Sequence, residues 1–99
     1  MEFQLRLYRV EPGRLDEFVD EWRRLILPLR RRLGFSIVGP WVNRQESRFV
    51  WLVGYDGNIG EANERYYSSE ERAAMDPDPA RLIAEQQTIS LQTIERNGE

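Results

Sequence analysis

The residues of this chain that can do chemistry are few in kind. Gln4, Arg6 and Tyr8 alternate along the first segment, so in an extended strand they share one face. A guanidinium at position 6 can grip a carboxylate, enolate or phenolate through two parallel N–H donors. The competing reading is that Arg6 pairs with an acidic side chain across a dimer. Trp41, Asn43, Trp51 and Tyr55 sit at odd positions in neighbouring segments and are expected to line one face. They read either as an aromatic pocket for a flat organic molecule, with Asn43 and Tyr55 hydrogen-bonding it, or as ordinary core packing. Tyr66 and Tyr67 either close such a pocket from above or seal the sheet.

The missing residue types narrow the chemistry further. There is no histidine, cysteine or lysine, and all 14 basic side chains are arginine. The imidazole base, the thiolate nucleophile and the Schiff-base amine are therefore unavailable, as are the usual ligands of zinc and haem. No cofactor and no metal site are expected. Asp16, Glu17, Asp20 and Glu21 have helical spacing, but their place at the start of a helix is accounted for by its dipole. Arg30, Arg31 and Arg32 read as a solvated helix end. No glycine-rich phosphate loop or nucleophile motif is present. A net charge of −3 argues against a nucleic-acid surface. The apolar runs are too short to cross a bilayer. The opening residues lack a signal-peptide pattern, so a cytoplasmic protein without membrane contact is expected.

These side chains must be positioned by a single small domain over residues 1–99. Residues 2–10 alternate as a strand, with Phe3, Leu5 and Leu7 on the face opposite Arg6. Leu15, Phe18, Val19, Trp22, Leu25, Ile26, Leu29 and Leu33 follow at the spacing of one long amphipathic helix. Pro28 is expected to kink it by freeing the Arg24 carbonyl, and Gly34 to stop it. Residues 35–44 read as a strand interrupted by Gly39-Pro40, which marks an edge or a bulge. Residues 48–56 read as a strand apolar on both faces, hence central and covered twice. Asn58 with Glu61 opens a second helix. Ser68 with Glu71 is expected to cap a further turn, and Asp78 with Pro79 a short helix of Ala80 to Ala84. Residues 86–95 form a polar, edge-like last strand, and the tail from Arg96 frays.

The order β-α-β-β-α-β defines an α+β, ferredoxin-like sandwich. It is a four-stranded antiparallel sheet with helices on one face. Two helices cover only one face, so the other is expected to meet a second copy of the chain.

The run from Phe3 to Leu15, with its aromatic-x-Leu-Arg-x-Tyr strand leading into Pro-Gly-Arg-Leu, resembles the opening of NIPSNAP-type proteins. Leu27-Pro28-Leu29-Arg30, Val38-Gly39, Trp41, Trp51, Tyr55-Asp56 and Asp76-Pro77 fall where that pattern places similar residues. The resemblance implies a dimeric α+β barrel, the architecture of cofactor-free monooxygenases, haem-degrading enzymes and lactone isomerases. Where such proteins often carry histidine, this chain has Leu25 and Leu33. The resulting expectation is a homodimer that binds a small, flat, hydrophobic or aromatic molecule between sheet and helices. Its ligand-binding residues would be Arg6, Tyr8, Trp41, Asn43, Trp51, Tyr55 and Tyr66. It would act as a cofactor-independent monooxygenase or isomerase; the alternative is a non-catalytic dimeric binding or scaffold module.

Overall fold

The first strand turns its polar side chains, not its apolar ones, toward the helices. In β1 (Glu2–Val10), Arg6, Tyr8 and Val10 are buried, whereas Phe3, Leu5 and Leu7 are only partly covered. The computed structural model describes residues 1–94; the expected fraying from Arg96 lies outside the described residues. With β2 (Ser36–Asn43), β3 (Arg48–Tyr55) and β4 (Ile83–Gln92), β1 forms an antiparallel sheet in the order β2-β3-β1-β4. The first and third strands are thus central and the second and fourth are edges. This is the α+β, ferredoxin-like arrangement that the element order predicts.

The register fixes which side chains meet. Arg6 stands opposite Trp51 on one side and Thr88 on the other, and Tyr8 stands between Phe49 and Gln86. Directly opposed residues share a face. The helix-covered face therefore carries Gln4, Arg6, Tyr8, Phe49, Trp51 and Val53. The open face carries Phe3, Leu5, Leu7, Val50 and Leu52, flanked by Val38 and Trp41 on β2 and by Ile89 and Leu91 on β4. Among the described residues no helix packs there; Val38 is 44% and Trp41 54% exposed.

The long helix departs from its expected form. It runs as α1 (Leu15–Glu21), a π turn (Trp22–Ile26) and α2 (Leu27–Arg32). Pro28 has no N–H to offer the carbonyl of Arg24. The chain accommodates this by widening the turn before it, and the Leu27 N–H reaches five residues back to the Trp22 carbonyl. The extra residue rotates everything beyond it by about 100° relative to a regular helix. The helix then ends in a Schellman motif. Gly34 adopts φ +97, and the Phe35 N–H bonds the Arg30 carbonyl at 3.0 Å.

Phe18, Trp22, Phe49 and Trp51 make the centre of the core. Phe18 meets Phe49 edge-on at 4.9 Å between ring centres, and Trp22 meets Trp51 at 5.3 Å. The caps follow the sequence with small shifts. Asn58 accepts from the Glu61 N–H at 3.0 Å and opens α3 (Ile59–Tyr67). Ser69, rather than Ser68, caps α4 (Glu70–Ala73) by accepting from the Arg72 N–H. Asp78 caps a 3-10 turn (Pro79–Leu82) in place of the expected helix from Ala80 to Ala84. β4 accordingly begins at Ile83, three residues before the expected start.

Candidate functional site

Two arginines lie beneath the helices without a carboxylate. Arg6 is 5% exposed and Arg30 1%, and among the described residues neither has an ion-pair partner, whereas Arg9, Arg24, Arg44 and Arg81 do. Neutral acceptors stand in. Arg6 donates to the Tyr67 hydroxyl (2.9 Å) and to the Gln4 amide oxygen (2.8 Å). Arg30 donates to the Asn63 amide oxygen (2.6 Å) and to the same Tyr67 hydroxyl (3.3 Å). Asn63 closes the ring by donating its own N–H to Gln4 at 3.1 Å. Two guanidiniums are thereby bridged by two amides and one phenol.

Local structure holds each member in place. Gln4 and Arg6 stand two residues apart on β1, and Asn63 and Tyr67 stand four apart on one side of α3. Arg30 is turned inward by the π turn and fixed by the Schellman bond from Phe35. Its Cζ lies 3.8 Å from the Tyr66 ring centre and 4.6 Å from that of Phe35. These stacks place the cation against π faces that favour positive charge.

The electrostatics follow from this crowding. Burial pushes the Arg30 guanidinium below its ordinary value. On Arg6 burial acts in the same direction, but the nearby Tyr67 and Tyr8 oxygens outweigh it and leave the group raised. Both remain protonated, since arginine does not lose its proton in proteins. Burial raises the Tyr67 phenol, and Arg6 and Arg30 together pull it down further, to a net value below that of an ordinary phenol. Tyr67 as a whole is 52% exposed, while its hydroxyl reaches in between the two cations. Tyr8 and Tyr66 are raised, chiefly by burial, against the pull of Arg6 on Tyr8 and Arg30 on Tyr66.

Beside this ring lies a cavity of about 90 Å³ between the sheet and the helices, walled by Tyr8, Ile26, Arg30, Trp51, Tyr66, Tyr67, Arg72 and Ile83, among others. A single water needs on the order of 10–15 Å³ on this measure, so there is space for several atoms. It is too small for a polycyclic molecule. Among the described residues, three wall side chains carry buried N–H groups without a partner, Arg30 Nε, Arg72 Nε and Trp51 Nε1, and Arg6 Nε lies behind the wall in the same condition. The wall therefore offers donors and has room for an acceptor.

The sequence-derived residues divide. Arg6, Tyr8, Trp51 and Tyr66 come together here. Trp41 and Asn43 do not. At Gly39-Pro40 the pairing steps from Val38–Leu52 to Trp41–Val50, three residues on β2 against two on β3. This bulge, with Gly39 at φ +100, reverses the face of everything after it. Trp41 thus stands on the open face, and Asn43 accepts from the Glu46 N–H at 3.0 Å to shape the hairpin turn. Tyr55 lies on the helix side, but packs on Phe35 and accepts from Arg65 at 3.0 Å, away from the ring. Arg6, also read as a partner for an acid across a dimer, lies on the helix-covered face and is buried within the subunit.

Sequence reasoning missed Arg30, Asn63 and Tyr67 as one unit. The run Arg30-Arg31-Arg32 reads as a solvated helix end, and Arg31 and Arg32 are indeed exposed, but Arg30 is buried. Its available signal was the spacing of four from Ile26 on the inner face. The acidic residues of α1 are paired with arginines: Asp16 with Arg44, Asp20 with Arg24, Glu21 with Arg81.

A four-stranded ferredoxin-like sheet, helices on one face and a small arginine- and tyrosine-rich cavity beneath them define an α+β, ferredoxin-like sandwich. The NIPSNAP family profile matches residues 3–97, and the chain belongs to this family. No curated protein matches. Among solved structures it is similar to a NIPSNAP domain protein from Burkholderia xenovorans, with TM-score 0.82 and 19% identity over 95% of both chains. It is similar to a NIPSNAP family protein from Agrobacterium tumefaciens, with TM-score 0.82 and 17% identity over 95% of this chain and 93% of that one. A candidate antibiotic biosynthesis monooxygenase from Nitrosomonas europaea shares the fold at TM-score 0.73 and 13% identity, over 96% of this chain and all of that one.

Proposed function

We propose that this protein binds a small, flat organic molecule in the cavity between sheet and helices, with Tyr8, Trp51 and Tyr66 as walls and Arg6 as an electrostatic anchor. The observation that carries the reading is the cavity itself: aromatic walls with unpartnered N–H donors make a receptor rather than a sealed core. In the catalytic form of the proposal, the protein is a cofactor-independent monooxygenase or isomerase. The bound substrate is then the electron-rich partner, and the arginines stabilise negative charge as it develops. The fold shared with the Nitrosomonas protein is consistent with this reading. The second reading, a non-catalytic binding module, is favoured by the residue types at the cavity, whose titratable members are tyrosines and arginines alone.

In both readings the chain is a cytoplasmic homodimer, and the open sheet face is the interface. That face is apolar along the central strands from Phe3 to Leu7 and from Val50 to Leu52, with Arg9 and Arg48 at one end, and carries exposed Val38, Trp41, Ile89 and Leu91. Such a patch marks an interaction surface, and a second identical sheet covers it symmetrically.

Thermal shift against a panel of small aromatic and unsaturated metabolites tests the pocket, since a ligand that binds only the native state raises Tm by mass action. Turnover of the binders under air then separates enzyme from module. A panel that leaves Tm unmoved overturns both readings. Sedimentation that gives a monomer mass at micromolar concentration overturns the dimer.

A further inference from the structure

Burying one cation without a counter-ion is costly, and this chain buries two that meet at one hydroxyl. Elsewhere it does not tolerate this: the buried carboxylate of Glu21 is gripped by both terminal nitrogens of Arg81, at 2.8 and 2.9 Å. Among the described residues Arg6 and Arg30 donate only to the neutral oxygens of Gln4, Asn63 and Tyr67, and their Nε–H groups have no acceptor. We propose that the natural occupant of the cavity is a small organic anion, a planar carboxylate-type group on a short apolar body. Arg30 meets its charge directly, and Arg6 adds to the field from behind Tyr67. This rests on the pocket reading above and specifies its ligand class.

The wall chemistry selects for this class. Arginine and indole N–H groups donate and never accept, so the wall groups left unpartnered call for lone pairs. Arg72 also lines the cavity, yet its charge is already met by Asp78 at 3.0 Å. The uncompensated charge therefore belongs to Arg30 and Arg6. Apart from Gln86, the rest of the wall is aliphatic or aromatic, with Ile26, Ala80 and Ile83 beside Trp51 and the tyrosines, which favours an organic body over a hydrated inorganic ion. The volume, about 90 Å³, keeps that body short. The Tyr67 phenol responds as a trial anion would, since the same two guanidiniums draw it below its ordinary value despite burial.

The test compares shape-matched pairs on the intact protein at neutral pH: propionate against propionamide, and benzoate against benzamide, by thermal shift and calorimetry. The expected result is that at least one carboxylate raises Tm and binds ten-fold or more tightly than its amide. Arg30→Met should weaken that carboxylate at least ten-fold and leave the amide unchanged. If Arg30→Met does not fold, Arg30→Lys keeps the charge, loses the planar stack, and should give a smaller loss of the same sign. An amide that binds as tightly as its carboxylate overturns the anion inference and leaves the pocket reading standing. Phosphate or chloride binding as tightly as either carboxylate overturns the organic part. Neither carboxylates nor amides moving Tm overturns the inference, and silence from the wider metabolite panel as well brings down the pocket reading.

Discussion

The two faces of this sheet exchange their usual roles. The face under the helices, which should be the oily one, holds two guanidiniums, two amides and three phenols at one end of its aromatic core. The face turned away from the helices is apolar through its middle, from Phe3 through Leu5 and Leu52 to Ile89, and its charged groups, Arg9, Arg48 and Glu85, stand at one end. Burial by helices and burial by a partner are therefore different environments in this fold. The first admits polar groups because helix side chains can be chosen to satisfy them, as Asn63 and Tyr67 are. The second is flat, and a flat interface of strands tolerates few unpaired polar groups.

Substitutions on the two faces should separate these environments, and the largest effect is expected in the covered core. Trp51→Ala should lower the unfolding free energy by about 3–5 kcal/mol in denaturant titrations. Trp41→Ala, on the open face, should change it by no more than about 0.5 kcal/mol in the isolated subunit. Equal losses would mean that the faces are not distinct. Next, Leu52→Asp puts a carboxylate between Leu5 and Val38 at the middle of the open face. Sedimentation should then show a monomer whose near-UV dichroism still reports an intact aromatic core. A Leu52→Asp dimer would remove the open face from the interface.

Arg30→Met should behave in the opposite sense to a normal core substitution. Replacing a buried charge that lacks an ionic partner by an apolar chain of similar length is neutral or stabilising, by about 1 kcal/mol. A loss above about 2 kcal/mol would show that Arg30 is chiefly structural, its stacks on Tyr66 and Phe35 outweighing its desolvation.

The smallest effect is on pH dependence. Tyr67 should titrate before an ordinary phenol, and Tyr8 and Tyr66 after it, in the ultraviolet difference spectrum; Tyr67→Phe should remove the early component. The signs of the linked stabilities are opposite. For Tyr67, whose folded value is depressed, the stabilisation is present above the unfolded phenol value and lost as pH falls through the folded one. For Tyr8 and Tyr66, whose folded values are raised, it is present below the unfolded value and lost as pH rises through the folded one. A single phenol transition at the ordinary value would remove the electrostatic coupling across the ring.

Most of the fold was legible because it rests on short-range signals. Alternation gave β1, the capping pair Asn58–Glu61 gave α3, and the polar run gave β4 as an edge. The candidate site was half legible. Arg6, Tyr8 and Trp51 follow from strand parity alone, and that parity is undisturbed between β1 and β3. Trp41 and Asn43 were assigned to the wrong face because the bulge at Gly39-Pro40 adds one residue to one strand only. Arg30 reads as solvated because its charge groups it with Arg31 and Arg32, although its spacing of four from Ile26 puts it on the inner face. The error at Trp41 and Asn43 has a different origin: periodicity carries a side chain's direction only as long as the count is unbroken.

The π turn also governs how this chain can be compared with its relatives. Up to Glu21, a position can be matched to a relative by counting forward from the first strand. Past Ile26, that count is out of step with any helix that lacks the inserted residue, and matching must instead run backward from the terminating glycine at 34. A relative with a regular helix would present a different residue beneath Tyr66, even where its aligned letter is arginine. Sequence identity at position 30 is thus a weak guide to whether a homologue keeps the buried cation. The helix's hydrogen-bond ladder, five residues back at Leu27, is the feature to look for.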